Sequence, residues 1–517
     1  MSDQNINQAN NNKRIAKNTM LLYFRMFFIM AVNLYTSRVI LQVLGAEDYG
    51  TYNVVGGIVT MLSLITATMS SAVSRFITFE LGKGKDGNTE RIFRFSCTIF
   101  YVLAIVGFIA AETVGLWFVE TQLNIPVGRE TAAFWVYQCS VVTFIISLLS
   151  VSYNALIIAK EKMNAFAYIS IYDGLARLGI IYLIAIMPFD RLIVYALLLA
   201  MVQLSIRMIY TVYCKRSFPE TNAKWLWDSN ISKQMFAYAG WTITGQLAIA
   251  GYTQGINILL NIFFGPVVNA ARAIATQVQT ALAQFYANFQ TAIRPQVIKS
   301  YAQGNMEYMH SLVLSTGRIS FMLALLVSVP FLTFTEYVMN LWLVNPPEHV
   351  VAFVRLTMIA GISNSLSQHT LMAIHATGDI KKFQLWEGGC LLMILPLSWI
   401  ALNFFHVTPE VVIAIYAIVE TLTQFVRVYI VYPQIGLDIK CFYTKILAPS
   451  LLTMLVCAIP AVLFYLFASP TSFVDLVVEV ILLVAIVGVI IFFIGLEKVE
   501  KDFLLRKLKV IFRMNIS

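Results

Sequence analysis

Long apolar stretches alternate with short polar ones from residue 18 to residue 495. A helix needs roughly 20 mostly apolar residues to cross the hydrocarbon core of a bilayer. On that length the chain predicts fourteen spans, at 18–42, 52–79, 93–118, 131–158, 165–187, 192–213, 234–263, 271–297, 312–340, 351–376, 384–405, 411–432, 447–468 and 474–495. The expected fold class is an all-α polytopic membrane protein with about 14 transmembrane helices. The tail at 496–517 sets Leu496, Val499, Phe503, Leu504, Leu508 and Ile511 at helical spacing among basic residues, which predicts an amphipathic helix lying on the membrane surface.

The polar connections carry their charge on one side. With the N-terminus inside and the spans alternating, all 18 lysines fall in inside segments, from Lys13 and Lys17 to Lys507 and Lys509. Outside segments hold only Arg129 and Arg191. Short-loop bias of this kind orients a membrane protein, and it puts both termini in the cytoplasm. The 59% hydrophobic and 12% charged composition agrees, since a soluble domain carries about 25% charged residues. The net charge of +9 then describes inner loops facing anionic lipid and implies no nucleic-acid partner.

The outside segments are short, the longest running from about 119 to 130, which leaves no room for a catalytic domain. The five histidines (His310, His349, His369, His375 and His406) are scattered, and no HExxH, Walker loop or GxSxG is present. The six cysteines form no CxxC pair. Neither an enzyme nor a bound metal or cofactor is expected.

The halves of the chain repeat. Leu44-Gly45 followed by Arg75 matches Phe264-Gly265 followed by Arg294; Asp173-Gly174 matches Glu387-Gly388; Arg207 matches Arg427. Their offsets of 220, 219, 214 and 220 span six helices, an even number, so both copies insert in the same orientation. The expected domains are a cytoplasmic N-terminus at 1–17, an N-lobe at 18–213, a cytoplasmic linker at 214–233, a C-lobe at 234–432, two extra helices at 447–495, and the tail. Two six-helix lobes related by a parallel repeat suit a transporter working by alternating access.

Two segments carry a resemblance. Ser37-Arg38-Val39-Ile40-Leu41-Gln42-Val43-Leu44-Gly45-Ala46-Glu47-Asp48-Tyr49-Gly50 resembles the end of the first helix of polysaccharide flippases. Asn269-Ala270-Ala271-Arg272-Ala273 with Asn288-Phe289, Arg294-Pro295-Gln296 and Lys299 resembles their eighth helix. These flippases belong to the multidrug/oligosaccharidyl-lipid/polysaccharide (MOP) exporter superfamily. The resemblance implies a bacterial inner-membrane flippase that moves undecaprenyl-diphosphate-linked oligosaccharide to the outer leaflet. That activity would feed O-antigen, lipopolysaccharide, capsule or exopolysaccharide assembly, with polymerase or ligase enzymes as further partners.

Setting aside Arg94 at the inner edge of span 3, ten arginines lie within spans, where an uncompensated charge costs about 2.5–3.5 kcal/mol. Arg207, Arg318, Arg355 and Arg427 lie near span ends and can snorkel, and Arg177 can pair with Asp173 one turn away. Arg25, Arg38, Arg75, Arg272 and Arg294 lie on spans 1, 2 and 8, which the resemblance implies as cavity-lining. Guanidinium is matched to phosphate oxygens, so these five are candidate substrate contacts. Arg75 and Arg294 serve equally well as inner-face anchors.

Gln246, Gln254 and Asn257 on span 7 suit sugar hydroxyls or, equally, helix–helix packing. Asp173 and Glu387 are candidates for coupling to H⁺ or Na⁺, and edge placement explains them as well. Glu112, Glu336 and Glu420 are further acidic positions within spans. A multidrug or organic-ion exporter of the same superfamily is the first alternative, although spans 1, 2, 7 and 8 carry arginine where a cation carrier needs carboxylates. A membrane glycan polymerase or ligase is the second.

Overall fold

The computed structural model describes residues 3–61, 63–122, 125, 128–221, 226–343, 346–468, 470–498, 500–502 and 505. Among them there is no β-strand, and the chain is helical almost throughout. It divides into two compact units, Met1–Ile243 with Arg294–Asn305, and Thr244–Ile293 with Met306–Ser517.

The first unit holds α1 (Asp3–Met61), α2 (Ser63–Gly82), α3 (Thr89–Ala110), α4 (Leu116–Gln122), α5 (Glu130–Ala159), α6 (Met163–Ile186) and α7 (Arg191–Ser217). It also takes the first turns of α8 (Ser229–Phe264) and the last turns of α9 (Pro266–Ala302). Helix α5 is its centre, packed on α2, α3 and α7. Val136, Tyr137, Val141, Leu148 and Leu156 of that helix are buried. Asp228 starts α8: its carboxylate accepts from the Asn230 and Ile231 amides and pairs with Arg91. Those bonds, the Ile231 amide first, hold the carboxyl below its ordinary range, so this cap is complete at neutral pH and weakens as pH falls.

The second unit continues with α10 (Met306–Thr333), α11 (Thr335–Trp342), α12 (Val350–Thr377), α13 (Lys381–Leu392), α14 (Ile394–Phe405), α15 (Pro409–Gln434), α16 (Ile439–Phe442), α17 (Ala448–Phe467) and α18 (Phe473–Ile490). Helix α12 is the centre here, packed against α10 and α15. Its buried positions include Thr357, Ala360, Gly361, Ser363, Ser365 and Ser367, small residues that let helix backbones approach closely. Ser365, Ser367 and Thr370 donate back to carbonyls three residues earlier, so these hydroxyls satisfy themselves in an apolar interior.

Eleven helices among the described residues are long and apolar enough to cross a membrane. Spans 1, 2 and 8 of the predicted fourteen are not among them. Span 8 coincides with α9, where Arg272, Arg294, Gln277, Gln279, Gln284, Asn288 and Gln290 dilute the apolar run; spans 1 and 2, on α1 and α2, include positions outside the described residues. Two expectations change in detail. The connection expected at 43–51 is helical and continuous with α1, since glycine disfavours a helix by only about 1 kcal/mol and does not forbid one. Span 11 is broken at Met393, where Pro396 lacks the N–H that would bond Leu392. Of the predicted amphipathic tail, residues 506–517 lie outside the described residues.

Arg318 does not snorkel outward as the sequence suggested. It is 2% exposed, and its guanidinium donates to Glu497 at 2.6 Å, to Glu500 at 2.7 Å and to the Lys445 carbonyl at 3.0 Å. That carbonyl lies in a π-helical turn, Tyr443–Leu447, where the i→i−4 ladder is interrupted. Arg318 thus fastens the segment after α18 to α10 and to the start of α17. Arg318→Met should leave Glu500, 14% exposed, without its guanidinium partner, a loss of about 1–3 kcal/mol for a charged hydrogen bond removed. A lower thermal midpoint and faster proteolysis beyond residue 495 in the purified protein would record it.

Candidate functional site

In the first unit, Arg25 of α1 places its guanidinium 4.4 Å from the Phe166 ring centre, and its Nε is buried without a hydrogen-bond partner. Arg75 of α2 is buried, its guanidinium lying 5.0 Å from the Phe76 ring, 5.4 Å from Phe79 and 5.5 Å from Tyr238. Arg294, its counterpart in the internal repeat, donates to Ser71 Oγ at 3.0 Å and also faces Tyr238. The structure therefore brings Arg75 and Arg294 together around one tyrosine. Arg38 lies on α1, its side chain outside the described residues.

In the second unit, Arg272 is 3% exposed. Its Nη1 reaches Thr357 Oγ1 at 3.4 Å, and its guanidinium stands 5.5 Å from the Tyr416 ring centre. Nε is buried with no partner, and no carboxylate pairs with Arg272 among the described residues. Tyr416 is fixed from two sides, stacked on Tyr252 at 5.9 Å and accepting from Gln279 Nε2 at 2.8 Å. Gln254 and Asn257 are joined by a 3.2 Å hydrogen bond on α8, with Gln254 exposed; Gln246 is exposed separately, two turns earlier.

Arg427 has the opposite environment. It is buried, donating from Nε to Glu387 at 2.6 Å and from Nη1 to Glu420 at 2.8 Å. Asn364 Nδ2 adds a bond to the same Glu420 oxygen at 2.8 Å. The sequence suggested that Arg427 snorkels, and Glu387 has no basic residue one turn away. Tertiary packing of α13 on α15 supplies the missing partner to both. The Glu420–Arg427 contact had a readable signal, a spacing of seven that stacks two residues on one helix face two turns apart. The Glu387 contact had none.

Asp173 pairs with Arg177 at 2.8 Å, as the spacing suggested. Both line a cavity of about 790 Å³ within the first unit, walled mainly by α5, α6 and α7, with Tyr52, Gly56 and Val59 of α1 and Thr66 and Ser70 of α2. Its polar wall is hydroxyl and amide: Ser140, Thr143, Ser147, Ser150, Asn154 and Gln203. None of these positions was singled out from the sequence, because isolated serines in apolar helices look like packing residues. Arg207 donates to the Leu149 carbonyl and lies 4.5 Å from the Tyr153 ring, so it too turns inward. No group of three or more His, Cys, Asp or Glu among the described residues could hold a metal ion.

The two kinds of arginine should respond differently to mutation. Arg427→Gln strands two carboxylates and is expected to destabilise the protein by about 3–5 kcal/mol. Arg272→Met removes a guanidinium with no carboxylate to leave behind, and is expected to hold or raise stability by about 1 kcal/mol while losing function. Thermal unfolding of both variants in detergent measures the contrast.

No protein-family model matches the chain, and no curated protein does. Solved structures match along most of its length. The crystal structure of a MATE point mutant aligns with a TM-score of 0.72 at 14% identity, covering 82% of this chain and 96% of that one. An outward-facing multidrug resistance MATE family transporter of the MOP superfamily gives 0.70 at 14% identity, covering 84% and 97%. A MOP superfamily transporter from Pyrococcus furiosus, whose binding pocket has reverse polarity suggesting a different function, gives 0.68 at 13%, covering 82% and 96%. The chain has the fold of the MATE transporters of the MOP superfamily.

Proposed function

We propose that the protein is a membrane transporter of anionic cargo, a flippase that carries diphosphate-linked oligosaccharide from the cytoplasmic to the outer leaflet by alternating access. The observation that carries this reading is Arg272: a permanently charged guanidinium, 3% exposed, with its Nε unbonded and no carboxylate beside it among the described residues. Burial without compensation is unfavourable, so a resident charge of this kind is retained for what it binds. Arg25, with its own orphan Nε, adds a second such donor in the other unit.

The carboxylates argue the same way. A carrier of organic cations needs acidic groups free to receive them. Here Glu387 and Glu420 Oε1 are taken by Arg427 and Asp173 is paired with Arg177, while Glu420 Oε2 and Glu112 Oε1 are buried without a hydrogen-bond partner. Sugar hydroxyls would find acceptors and donors in the exposed amides of Gln246 and Gln254. The Pyrococcus furiosus transporter supports the idea that one fold carries pockets of either polarity. The second reading, a multidrug exporter, draws on the multidrug resistance MATE transporter among the similar structures.

The test is depletion of the protein followed by mass spectrometry of the lipid-linked oligosaccharide pool alongside surface glycan. The expected result is accumulation of undecaprenyl-diphosphate-linked repeat units with loss of surface glycan, and failure of Arg272→Gln to restore it. An unchanged pool with increased sensitivity to organic cations would overturn the flippase reading and leave the exporter. Unpolymerised units reaching the outer leaflet would make the protein a polymerase or ligase.

A further inference from the structure

Glu161 sits in the short turn between α5 and α6 with φ at +58°, the left-handed region that a residue with a Cβ seldom occupies. Its side chain has no exposure, yet it is a carboxylate. Both oxygens are held. Oε2 accepts from Arg14 Nε at 2.7 Å and from Gln296 Nε2 at 2.7 Å; Oε1 accepts from Lys299 Nζ at 2.6 Å. The partners come from three places in the sequence, the early turns of α1, the α5–α6 turn and the last turns of α9. All belong to the first unit. The lysine distribution assigns these three segments to the same side of the membrane. Helix α2 closes in as well, for a Cβ on Gly82 would lie 2.6 Å from Ala302 Cβ and 2.9 Å from the Lys299 backbone.

A guanidinium, an ammonium and an amide converging on two oxygens form a donor set suited to phosphate. Arg14 and Lys299 carry two positive charges, and both meet the single charge of Glu161. Of the neighbouring lysines, Lys160 is committed to Glu220 at 2.5 Å and Lys162 is exposed. A phosphate dianion would match the pair in charge, which a carboxylate does not. The Arg14 side chain is 48% exposed, so this side of the cluster is open to an arriving group.

We propose that Arg14, Gln296 and Lys299 form a docking site for the phosphate of a lipid headgroup, which Glu161 occupies as a built-in stand-in and vacates when the headgroup arrives. The proposal rests on the reading that the cargo is a diphosphate-linked lipid, and it adds where that lipid is first held. Anionic phospholipid offers the same chemistry.

The full-length protein in phosphatidylcholine nanodiscs is titrated with farnesyl diphosphate and, separately, with inorganic pyrophosphate. Glu161→Gln removes the competing charge and is expected to tighten farnesyl diphosphate binding about tenfold. Lys299→Gln should weaken it by a similar factor, and Lys299→Arg should retain most of it. Glu161→Gln binding no tighter than the native protein overturns the stand-in role. If that variant does not fold, equal affinities for Lys299→Gln and Lys299→Arg overturn the site. Pyrophosphate binding as tightly as farnesyl diphosphate overturns the lipid assignment. Loss of the farnesyl diphosphate signal in phosphatidylglycerol discs would assign the site to bulk lipid headgroups. These titrations read binding alone, so they can succeed where the glycan-pool test fails, and the reverse.

Discussion

A guanidinium taken out of water has to be met by something, and that constraint organises the polar interior of both units. Arg318 and Arg427 are met in full, each by two carboxylates. Their pairs connect elements distant in sequence, Arg318 the segment after α18 and Arg427 the helix α13. Arg25 lies over the Phe166 ring face, a weaker and less directional contact. Arg272 is met by a tyrosine face and one long hydroxyl contact, and its Nε by nothing.

The helices supporting these arginines solve a related problem with hydroxyls. Serine and threonine side chains on α5 and α12 donate into their own helix, as Ser150 does to Ile146 and Thr370 to Ser367. Their donors are then spent, and the lone pairs that remain are what the helix shows to its surroundings. The cavity of the first unit is walled in part by oxygens of this kind, Ser140 and Ser150 among them. Such a wall costs little to bury and stays polar. It is compatible with water or a hydroxylated group in a way that an aliphatic wall is not.

Glu161 shows the constraint from the anion's side. Lys299 and Gln296 lie three residues apart near the end of α9, so they share a helix face and can reach one carboxylate together. Nothing in the sequence around Glu161 announces this, since Lys160-Glu161-Lys162 reads as a solvated turn.

The all-helical class, most of the spans and the Asp173–Arg177 pair were legible in the sequence. These follow from local physics: hydropathy summed over roughly 20 residues and i,i+4 spacing act along one stretch of chain. The same summation falls short at α9, where amides and two arginines are averaged with the apolar positions. Which arginine is compensated was decided only by tertiary structure. Arg427 and Arg272 each lie within a predicted span, and Glu420 two turns before Arg427 is the one partner that local spacing offered to either. What separates them is that α13 lays Glu387 against one, while α12 and α15 offer the other only Thr357 and Tyr416. Charge compensation between helices depends on distance in space, and sequence position carries no record of that distance.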